Sequence, residues 1–273
     1  MRQVYMMNKK IFVIFSVVFL LISGCNNVSS EQNVREIKLD DKIMPDDEFF
    51  PQPLKIVSLG DSLTQGVGDS QKSGGYVPLL ETRLESKKNI GEVDILNFGK
   101  RGNRSDQLLS RIDKENDIQN AIAASDVAII TIGGNDVMKV VKSTFPSLTF
   151  ENFEGARLSY EENLTEILSN IREINPEISI VLMGIYNPFF IFSADVKEMK
   201  MIVDTWNDSG KNIINDYDQT NYVDVADIFR QSDQNLLHTD YFHPNDEGYS
   251  LIAERIEMGV LEVLDADSSQ GDE

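Results

Sequence analysis

Residues 127–131, Val-Ala-Ile-Ile-Thr, decide the fold, because this short run is almost entirely apolar. A strand with one solvated face alternates apolar and polar side chains, whereas a strand covered on both faces is apolar throughout. The run is therefore predicted to be an internal strand of a parallel sheet that has helices on both of its faces.

Strand and helix signals alternate on both sides of this run. Four further β-rich runs are predicted to be strands: 55–59, 93–96, 178–183 and 222–225. Helical spacing of apolar residues occupies the segments 76–86, 105–124, 159–174, 195–217 and 245–264, of which 105–124 is either one helix or a broken one. The alternation predicts an α/β fold, namely a three-layer α/β/α sandwich with a five-stranded parallel sheet. Residues 139–155 have weak periodicity and are predicted to form an insertion loop or a lid.

The composition is that of a globular protein, with 273 residues of which 41% are hydrophobic and 26% are charged. The net charge of −20 argues against nucleic acids and anionic lipid headgroups as partners. The sequence contains no Cys/His cluster with metal-ligand spacing and no glycine-rich phosphate motif in the required position after a strand. We therefore expect neither a metal nor another cofactor.

The first 25 residues are predicted to be a secretory signal. Arg2, Lys9 and Lys10 precede an apolar run, 11–22, which is shorter than the roughly 20 residues of a membrane-spanning helix. The run ends in Leu-Ile-Ser-Gly-Cys at 21–25, which resembles the lipobox of bacterial lipoproteins, where the cysteine is lipidated. The alternative is a free Cys25 thiol after an uncleaved anchor.

These signals predict a division of the chain into four parts. Residues 1–25 are the signal, 26–53 a polar tether, 54–264 the folded domain and 265–273 an acidic tail. The protein is then expected to be secreted and attached to the outer face of a bacterial cytoplasmic membrane. Its membrane contact would come only from the lipid on Cys25.

Four polar or glycine-rich clusters directly follow predicted strands: 60–64, 97–103, 133–136 and, before the last helix, 240–244. In open parallel sheets, ligands bind outside the carboxyl ends of the strands. The four clusters are therefore expected to meet at one edge of the sheet and to form the site.

The clusters contain a nucleophile and a base. The hydroxyl of Ser62 lies on a tight turn and needs a neighbouring group to take its proton. Histidine suits that task because its pKa lies near neutrality, and the chain has only His238 and His243. Asp240, three residues before His243, is placed to orient that ring. The structural alternatives are a turn-capping role for Ser62 and Asp240, a core position for His243 and a surface position for His238.

The clusters also contain donors for an oxyanion, which acyl transfer requires. Gly102 can offer an uncrowded backbone N–H, and Asn135 can offer a side-chain amide. Either residue could instead serve only the local turn, since glycine and asparagine tolerate a positive φ. Asp61 is interpreted as a structural hydrogen-bonding residue.

Together, the clusters resemble the consensus blocks of the SGNH/GDSL hydrolases, in the family's order. The matching residues are Gly60-Asp61-Ser62-Leu63, Gly102, Gly133-Gly134-Asn135-Asp136 and Asp240-Tyr241-Phe242-His243-Pro244. The resemblance covers roughly 55–264 and implies a flavodoxin-like domain that hydrolyses esters or thioesters. It implies a triad of Ser62, Asp240 and His243, and oxyanion donors on Ser62, Gly102 and Asn135. Residues 60–69 and 74–76 further resemble the GDSL-type lipoproteins of Gram-positive bacteria.

Three other groups of residues bear on the substrate. Lys100, Arg101 and Arg104 either recognise an anionic group or, in the interpretation we favour, balance an acidic surface. The apolar loop 186–192, with Asn187, Phe189 and Phe190, lines an acyl pocket, contacts the membrane or packs beneath a helix. Trp206 and the Met-rich segment 198–201 are interpreted as helix packing.

The leading hypothesis is an extracytoplasmic serine esterase or lipase that acts on a small ester through an acyl-enzyme. An acyltransferase or a deacetylase of cell-envelope glycans would use the same triad. A hypothesis of another class is a ligand-binding lipoprotein without catalysis, although such receptors usually have two lobes and this chain has residues for one sheet.

Overall fold

The computed structural model describes residues 50–144, 149–188, 197–231 and 235–268. Five strands form one sheet: β1 (Gln52–Gly60), β2 (Ile90–Gly99), β3 (Val127–Thr131), β4 (Ser179–Met183) and β5 (Thr220–Val223). All neighbouring pairs are parallel, and the spatial order is β2-β1-β3-β4-β5. This is the flavodoxin-like order, in which the connections change direction between β1 and β3.

Helices follow the strands along the chain. The structure contains α1 (Ser62–Gln65), α2 (Tyr76–Glu85), α3 (Ser105–Lys114), α4 (Asn116–Ala123), α5 (Gly134–Thr144), α6 (Phe150–Ile174), α7 (Lys197–Ile214), α8 (Ala226–Gln231) and α9 (Asp246–Ser268). The helices α3 to α7 contribute to the hydrophobic core on one face of the sheet, and α2, α8 and α9 to the core on the other.

Alternate side chains of the strands serve the two cores. Val57 belongs to the core that contains α3 to α7, whereas its neighbour Ile56 belongs to the core that contains α2 and α9. Because both faces are covered, every residue of β3 and β4 is buried. The predicted three-layer α/β/α sandwich with a five-stranded parallel sheet is confirmed.

The strand register aligns the carboxyl ends of the sheet. Gly60, the last residue of β1, pairs with Gly99 of β2 and Thr131 of β3. Thr131 in turn pairs with Met183, the last residue of β4. The segments that leave these strands therefore emerge side by side.

Several predicted boundaries are wrong. Residues 139–155 are not one loop, because α5 continues to Thr144 and α6 begins at Phe150, nine residues before its predicted start; residues 145–148 lie outside the described residues. The segment 105–124 agrees with the broken alternative, because it forms two helices that meet at Glu115. The strand β1 begins inside the predicted tether and α9 ends inside the predicted tail.

The predicted signal with Cys25 lies outside the described residues, as does the tether up to residue 49. Within the part of the chain that the structure describes, none of the helices combines the length and the apolar character that crossing a membrane requires.

Candidate active site

Ser62 lies in the turn that leaves the central strand β1. It is the first residue of the short helix α1, and Asp61 caps that helix by accepting a hydrogen bond from the Leu63 N–H at 2.9 Å. The backbone N–H of Asp61 donates to the carbonyl of Thr131 at 3.1 Å, so the turn is tied to the adjacent strand β3. The turn thus holds the Ser62 hydroxyl at the carboxyl edge of the sheet, where only 3% of the residue is exposed.

His243 reaches Ser62 from the segment before α9, although 181 residues separate them in sequence. Its Nε2 lies 2.9 Å from Ser62 Oγ, and its Nδ1 lies 2.6 Å from Asp240 Oδ2. The other oxygen of Asp240 accepts the backbone N–H groups of Phe242 and His243, each at 3.0 Å. One short loop therefore supplies both the imidazole and the carboxylate that orients it.

The environment of Asp240 favours its ionised form. Partial burial opposes ionisation, but the hydrogen bonds from the His243 ring and from the two backbone N–H groups outweigh it and lower the pKa of Asp240. Tyr241, between the two residues, has a positive φ of 54°. For a residue other than glycine, a positive φ costs conformational free energy, and residues with this conformation are concentrated at functional sites.

His238 does not face Ser62. Its Nε2 lies 3.1 Å from the hydroxyl of the adjacent Thr239. Its backbone N–H donates to the carbonyl of His243 at 2.8 Å and so closes the loop that carries the other histidine. Of the two histidines, the structure brings only His243 to the serine.

Asn135 meets Ser62 in one cavity, as the sequence predicts. Its side-chain amide donates to the carbonyl of Asn103 at 2.9 Å and approaches Asp61 Oδ2 at 3.4 Å. The Ser62 N–H occupies the first position of α1, where a helix N–H has no intrahelical partner. Both groups lie at the serine turn, and in this structure the Asn135 amide donates to Asn103 and Asp61.

Gly102 lies next to Asn103 but is not among the residues that line the Ser62 cavity. It is exposed, has a positive φ of 80°, and lines a separate open depression with Lys100, Arg101 and Arg104. Arg104 pairs with Asp106 at 2.9 Å. The structure therefore places Gly102 next to Asn103, which accepts from Asn135, and outside the set of residues that line the Ser62 cavity.

Asp61 has an environment that the sequence did not predict. It is fully buried, and burial raises its pKa to about 7 although Leu63 and Thr131 donate hydrogen bonds to it. The Thr131 hydroxyl, 3.2 Å from Asp61 Oδ1, also contacts Thr64 at 2.8 Å, and Thr64 contacts the hydroxyl of Tyr76 at 3.0 Å. A chain of buried hydroxyl groups thus supports the carboxyl group beneath Ser62.

The cavity beside Ser62 differs from the predicted substrate pocket. Phe189 and Phe190 lie outside the described residues, and Asn187 is not among the lining residues, although its neighbours Tyr186 and Pro188 are. The cavity instead extends between α5 and α7 and includes Met199, for which the sequence predicts helix packing. Trp206 is buried against Tyr160, with ring centroids 5.7 Å apart, as predicted.

Comparison with known proteins identifies the fold and the family. The family model described as "GDSL-like Lipase/Acylhydrolase family" matches residues 58–251, which include the Ser62 turn and the loop with His243. The chain belongs to this GDSL family. It is an ester-hydrolysing enzyme, which favours catalysis over a role as a ligand-binding lipoprotein. The resemblance on which the sequence prediction rested is confirmed.

Two curated relatives of this GDSL protein come from Bacillus. The uncharacterized protein YpmR of Bacillus subtilis (strain 168) is 34% identical over 93% of this chain and 97% of its own length. The spore germination lipase LipC of Bacillus licheniformis is 26% identical over 74% of this chain and 94% of its own length. Both relatives agree with the predicted Gram-positive context.

Solved structures resemble the GDSL domain over most of its length. The lipase Lip_vut3 from a goat rumen metagenome has a TM-score of 0.68 and 26% identity, and the match covers 76% of this chain and 97% of that one. A catalytic mutant of Axe2, an acetylxylan esterase of Geobacillus stearothermophilus, has a TM-score of 0.58 and 21% identity over 77% and 96% of the two chains. The second likeness supports the fold alone.

Within the described residues, no group of three or more His, Cys, Asp or Glu side chains is arranged to hold a metal ion. The polar side chains that converge at the catalytic edge are those of Asp61, Ser62, Asn135, Asp240 and His243.

Proposed function

We propose that this GDSL enzyme hydrolyses carboxylic esters through a triad of Ser62, His243 and Asp240. The observation that carries the proposal is the continuous chain of contacts from Asp240 Oδ2 to His243 Nδ1 and from His243 Nε2 to Ser62 Oγ, at 2.6 and 2.9 Å. These distances suit proton transfer between a nucleophile, its base and an orienting carboxylate.

The reaction has two steps. Ser62 Oγ attacks the carbonyl carbon of the ester while His243 Nε2 takes the hydroxyl proton, and collapse of the tetrahedral intermediate passes that proton to the departing alcohol. Water then attacks the carbonyl carbon of the acyl-enzyme and gives a proton to His243 Nε2. When the bond from this carbon to Ser62 Oγ breaks, His243 passes the proton to Ser62 Oγ and the acid is released. Asp240 stays ionised and stabilises the imidazolium, in agreement with its lowered pKa.

Donors around the serine turn stabilise the oxyanion. We assign this role to the Ser62 N–H and to the Asn135 amide, which would exchange its long hydrogen bond to Asp61, at 3.4 Å, for one to the oxyanion. The Gly102 N–H becomes a third oxyanion donor only if the loop before Asn103 turns toward the cavity when substrate binds. The chemistry needs no metal, because the histidine alone activates the nucleophile.

The location of the enzyme is a separate proposal. The positive start, the apolar run 11–22 and the sequence before Cys25 support export and lipidation of Cys25. An apolar anchor agrees with a net charge of −20, which disfavours electrostatic binding to anionic headgroups. The enzyme would then act outside the cell, close to the membrane.

Labelling with a fluorophosphonate tests the catalytic proposal. We expect the protein lacking residues 1–25 to be labelled on Ser62, as located by peptide mass spectrometry, and to hydrolyse p-nitrophenyl esters in the presence of EDTA. Labelling on another serine, or loss of activity in EDTA that a divalent ion restores, would contradict it. Added alcohols separate hydrolysis from acyl transfer, because a transferase would form the new ester in place of the free acid.

A further inference from the structure

An open depression with basic walls lies at the carboxyl end of β2, beside the catalytic edge. Four of the residues that line it are basic, namely Lys100, Arg101, Arg104 and Arg111, and only Asp106 is acidic. The whole chain has the opposite balance, with 45 acidic against 25 basic residues. The depression is therefore a local reversal of the charge of the protein.

Ion pairs account for only part of this positive charge. Arg104 pairs with Asp106 at 2.9 Å, and Arg111 forms an ion pair one turn further along its own helix. Lys100 and Arg101 are exposed, and neither forms an ion pair with a carboxylate of the described residues. The role favoured from the sequence, charge balance on an acidic surface, therefore fits Arg104 but not Lys100 and Arg101.

The guanidinium of Arg104 has an unused donor. Its Nε is buried, and within the described part of the chain no atom accepts a hydrogen bond from it. A buried N–H without an acceptor is unfavourable, and in native proteins such groups often mark the place of an ion or a water molecule. An anion bound in the depression would supply this acceptor once the guanidinium turns toward it.

Backbone contacts tie the basic loop to the nucleophile turn. The N–H of Lys100 donates to the carbonyl of Gly60 at 3.1 Å, and the N–H of Arg101 donates to Gln65 Oε1 at 2.6 Å. Gly60 precedes Ser62 by two residues, which span at most about 7 Å. A substrate with its ester carbonyl at Ser62 therefore places atoms a few bonds further along within reach of the two long basic side chains.

We propose that this depression binds a phosphate group carried by the alcohol part of the substrate. The assignment rests on the proposed function, because it places the ester carbonyl at Ser62 and the phosphate at Lys100 and Arg101. Guanidinium and ammonium groups form strong, charge-assisted hydrogen bonds with phosphate oxygens.

The acidic surface of the protein is compatible with such a substrate. Physiological salt screens exposed charges over about 8 Å, so a single phosphate in the depression responds mainly to the nearby cations. An extended anionic membrane surface would instead face many carboxylates of a chain with a net charge of −20 and be repelled. The depression therefore suits one anionic group better than an anionic surface.

Two esters that differ only in a phosphate group test the proposal: 1-butanoylglycerol and 1-butanoylglycerol 3-phosphate. In about 0.15 M salt, the wild type should hydrolyse the phosphorylated ester with a kcat/KM at least about tenfold higher. In the double variant Lys100→Gln/Arg101→Gln, the ratio of the two kcat/KM values should fall by about tenfold or more, because the charge-assisted contacts to phosphate are lost.

The matched control is the double variant Lys139→Gln/Lys211→Gln. Both lysines are exposed, and neither lines the depression. The control removes the same two positive charges and should keep the wild-type ratio. Equal ratios in the two double variants would show that only the net charge matters, and would overturn the proposed subsite.

Direct binding of sn-glycerol 3-phosphate gives a readout without catalysis. In an NMR titration, its Kd should be about tenfold higher in Lys100→Gln/Arg101→Gln than in the control variant. If this substitution weakens binding of inorganic phosphate or of phosphatidylglycerol vesicles but leaves the ester ratio unchanged, the cations hold a free ion or a membrane surface. Either result would overturn the assignment to the substrate.

The outcomes separate this assignment from the proposed function. If a fluorophosphonate labels Ser62 and the wild type hydrolyses both esters with equal kcat/KM, the phosphate subsite is overturned and the triad stands. If neither ester is hydrolysed and no serine is labelled, the proposed function fails, whether or not glycerol 3-phosphate binds.

Discussion

Gly68 lies directly against the loop that carries His243. A Cβ atom added to Gly68 would lie 2.3 Å from the carbonyl oxygen of Pro244 and 3.1 Å from the Cβ of His243. The two segments are also tied by Ser70, whose N–H and hydroxyl donate to the Asp246 carboxylate at 2.8 and 2.6 Å. The loop after the nucleophile therefore supports the loop that supplies the base.

We expect Gly68→Ala to lower kcat by at least about tenfold, with a smaller change in KM. The substitution places a side chain at a φ of 103° and pushes it against Pro244, which displaces the imidazole from Ser62. Steady-state kinetics with a short p-nitrophenyl ester measures the effect, and circular dichroism checks that the variant is folded.

The control is Gly155→Ala in α6, where an added Cβ meets no atom within 4 Å. It should keep the wild-type kcat and gain about 0.5–1 kcal/mol in the free energy of unfolding, because alanine favours the helix. Equal kcat values for Gly68→Ala and Gly155→Ala would show that catalysis does not depend on the close packing of Gly68 against the loop that carries His243.

The triad predicts strongly non-additive kinetics. Ser62→Ala and His243→Ala should each lower kcat by about 10⁴-fold or more, and the double variant should be barely worse, because the two groups act as one unit. Asp240→Asn should cost the same or less. In His238→Ala, kcat should stay near the wild-type value, since that ring contacts Thr239; a loss as large as in His243→Ala would mean that His238 takes part in catalysis.

Asn135→Ala should lower kcat by about 10²–10³-fold while the protein stays folded. The amide of Asn135 is the side-chain donor in the cavity with Ser62, and its removal weakens stabilisation of the transition state. Kinetics with one ester over a range of concentrations separates kcat from KM. A change confined to KM would make Asn135 a residue that binds the ground state of the substrate.

The buried carboxyl group of Asp61 predicts a pH dependence of stability. Its pKa rises from 3.8 to about 7 on folding, so between these values the folded state holds a proton that the unfolded state has lost. The stability of the folded protein should therefore fall as the pH rises through this window, by about 1.4 kcal/mol per pH unit from this group alone.

The measurement is urea unfolding of the wild type and of Asp61→Asn at pH 5 and pH 7. The difference in the free energy of unfolding should move in favour of the variant as the pH rises, because asparagine does not titrate. If the free energy of unfolding changed equally with pH in the two proteins, Asp61 would be ionised at both pH values or would not cause the pH dependence.

Cys25→Ala should release the protein from the membrane or leave it unprocessed, while the folded domain keeps its esterase activity. The predicted tether, about 28 residues long, has a root-mean-square reach of roughly 30 Å as a flexible coil, so the anchor is separate from the chemistry. Metabolic labelling with a fatty acid analogue is the test. An unlabelled wild type, or equal labelling of the variant, would remove the proposal of a lipoprotein.

The catalytic edge was predictable because parallel strands place their carboxyl ends together. Ser62 after β1 and Asn135 after β3 follow directly from the alternation of strands and helices, and the register of Gly60 with Thr131 brings their turns side by side. Residue type then limited the base to two histidines. The spacing of Asp240 and His243 favoured one of them, and the structure places that histidine at the serine.

The start of α6 was missed because its signals are spread out. Its first two buried residues, Phe153 and Tyr160, are seven positions apart, so a local pattern of three or four residues does not reveal the helix. The start is instead marked by a polar contact, in which the Thr149 N–H donates to Asn152 Oδ1 at 2.9 Å. A polar capping contact of this kind is harder to recognise in a sequence than a periodic stripe of apolar residues.

The sequence by itself determined the α/β class, the edge of the sheet that carries the site, and the identity of Ser62, Asn135 and His243 as its polar residues. Those features depend on local periodicity and on residue chemistry, which can be read along the chain. Only the tertiary structure determined that an apolar cavity lies beside Ser62 and that the pKa of the Asp61 carboxyl group is raised. The cavity exists because Val137 and Met199, 62 residues apart, pack around the same space, and the pKa of Asp61 is raised because distant segments exclude water from its carboxyl group.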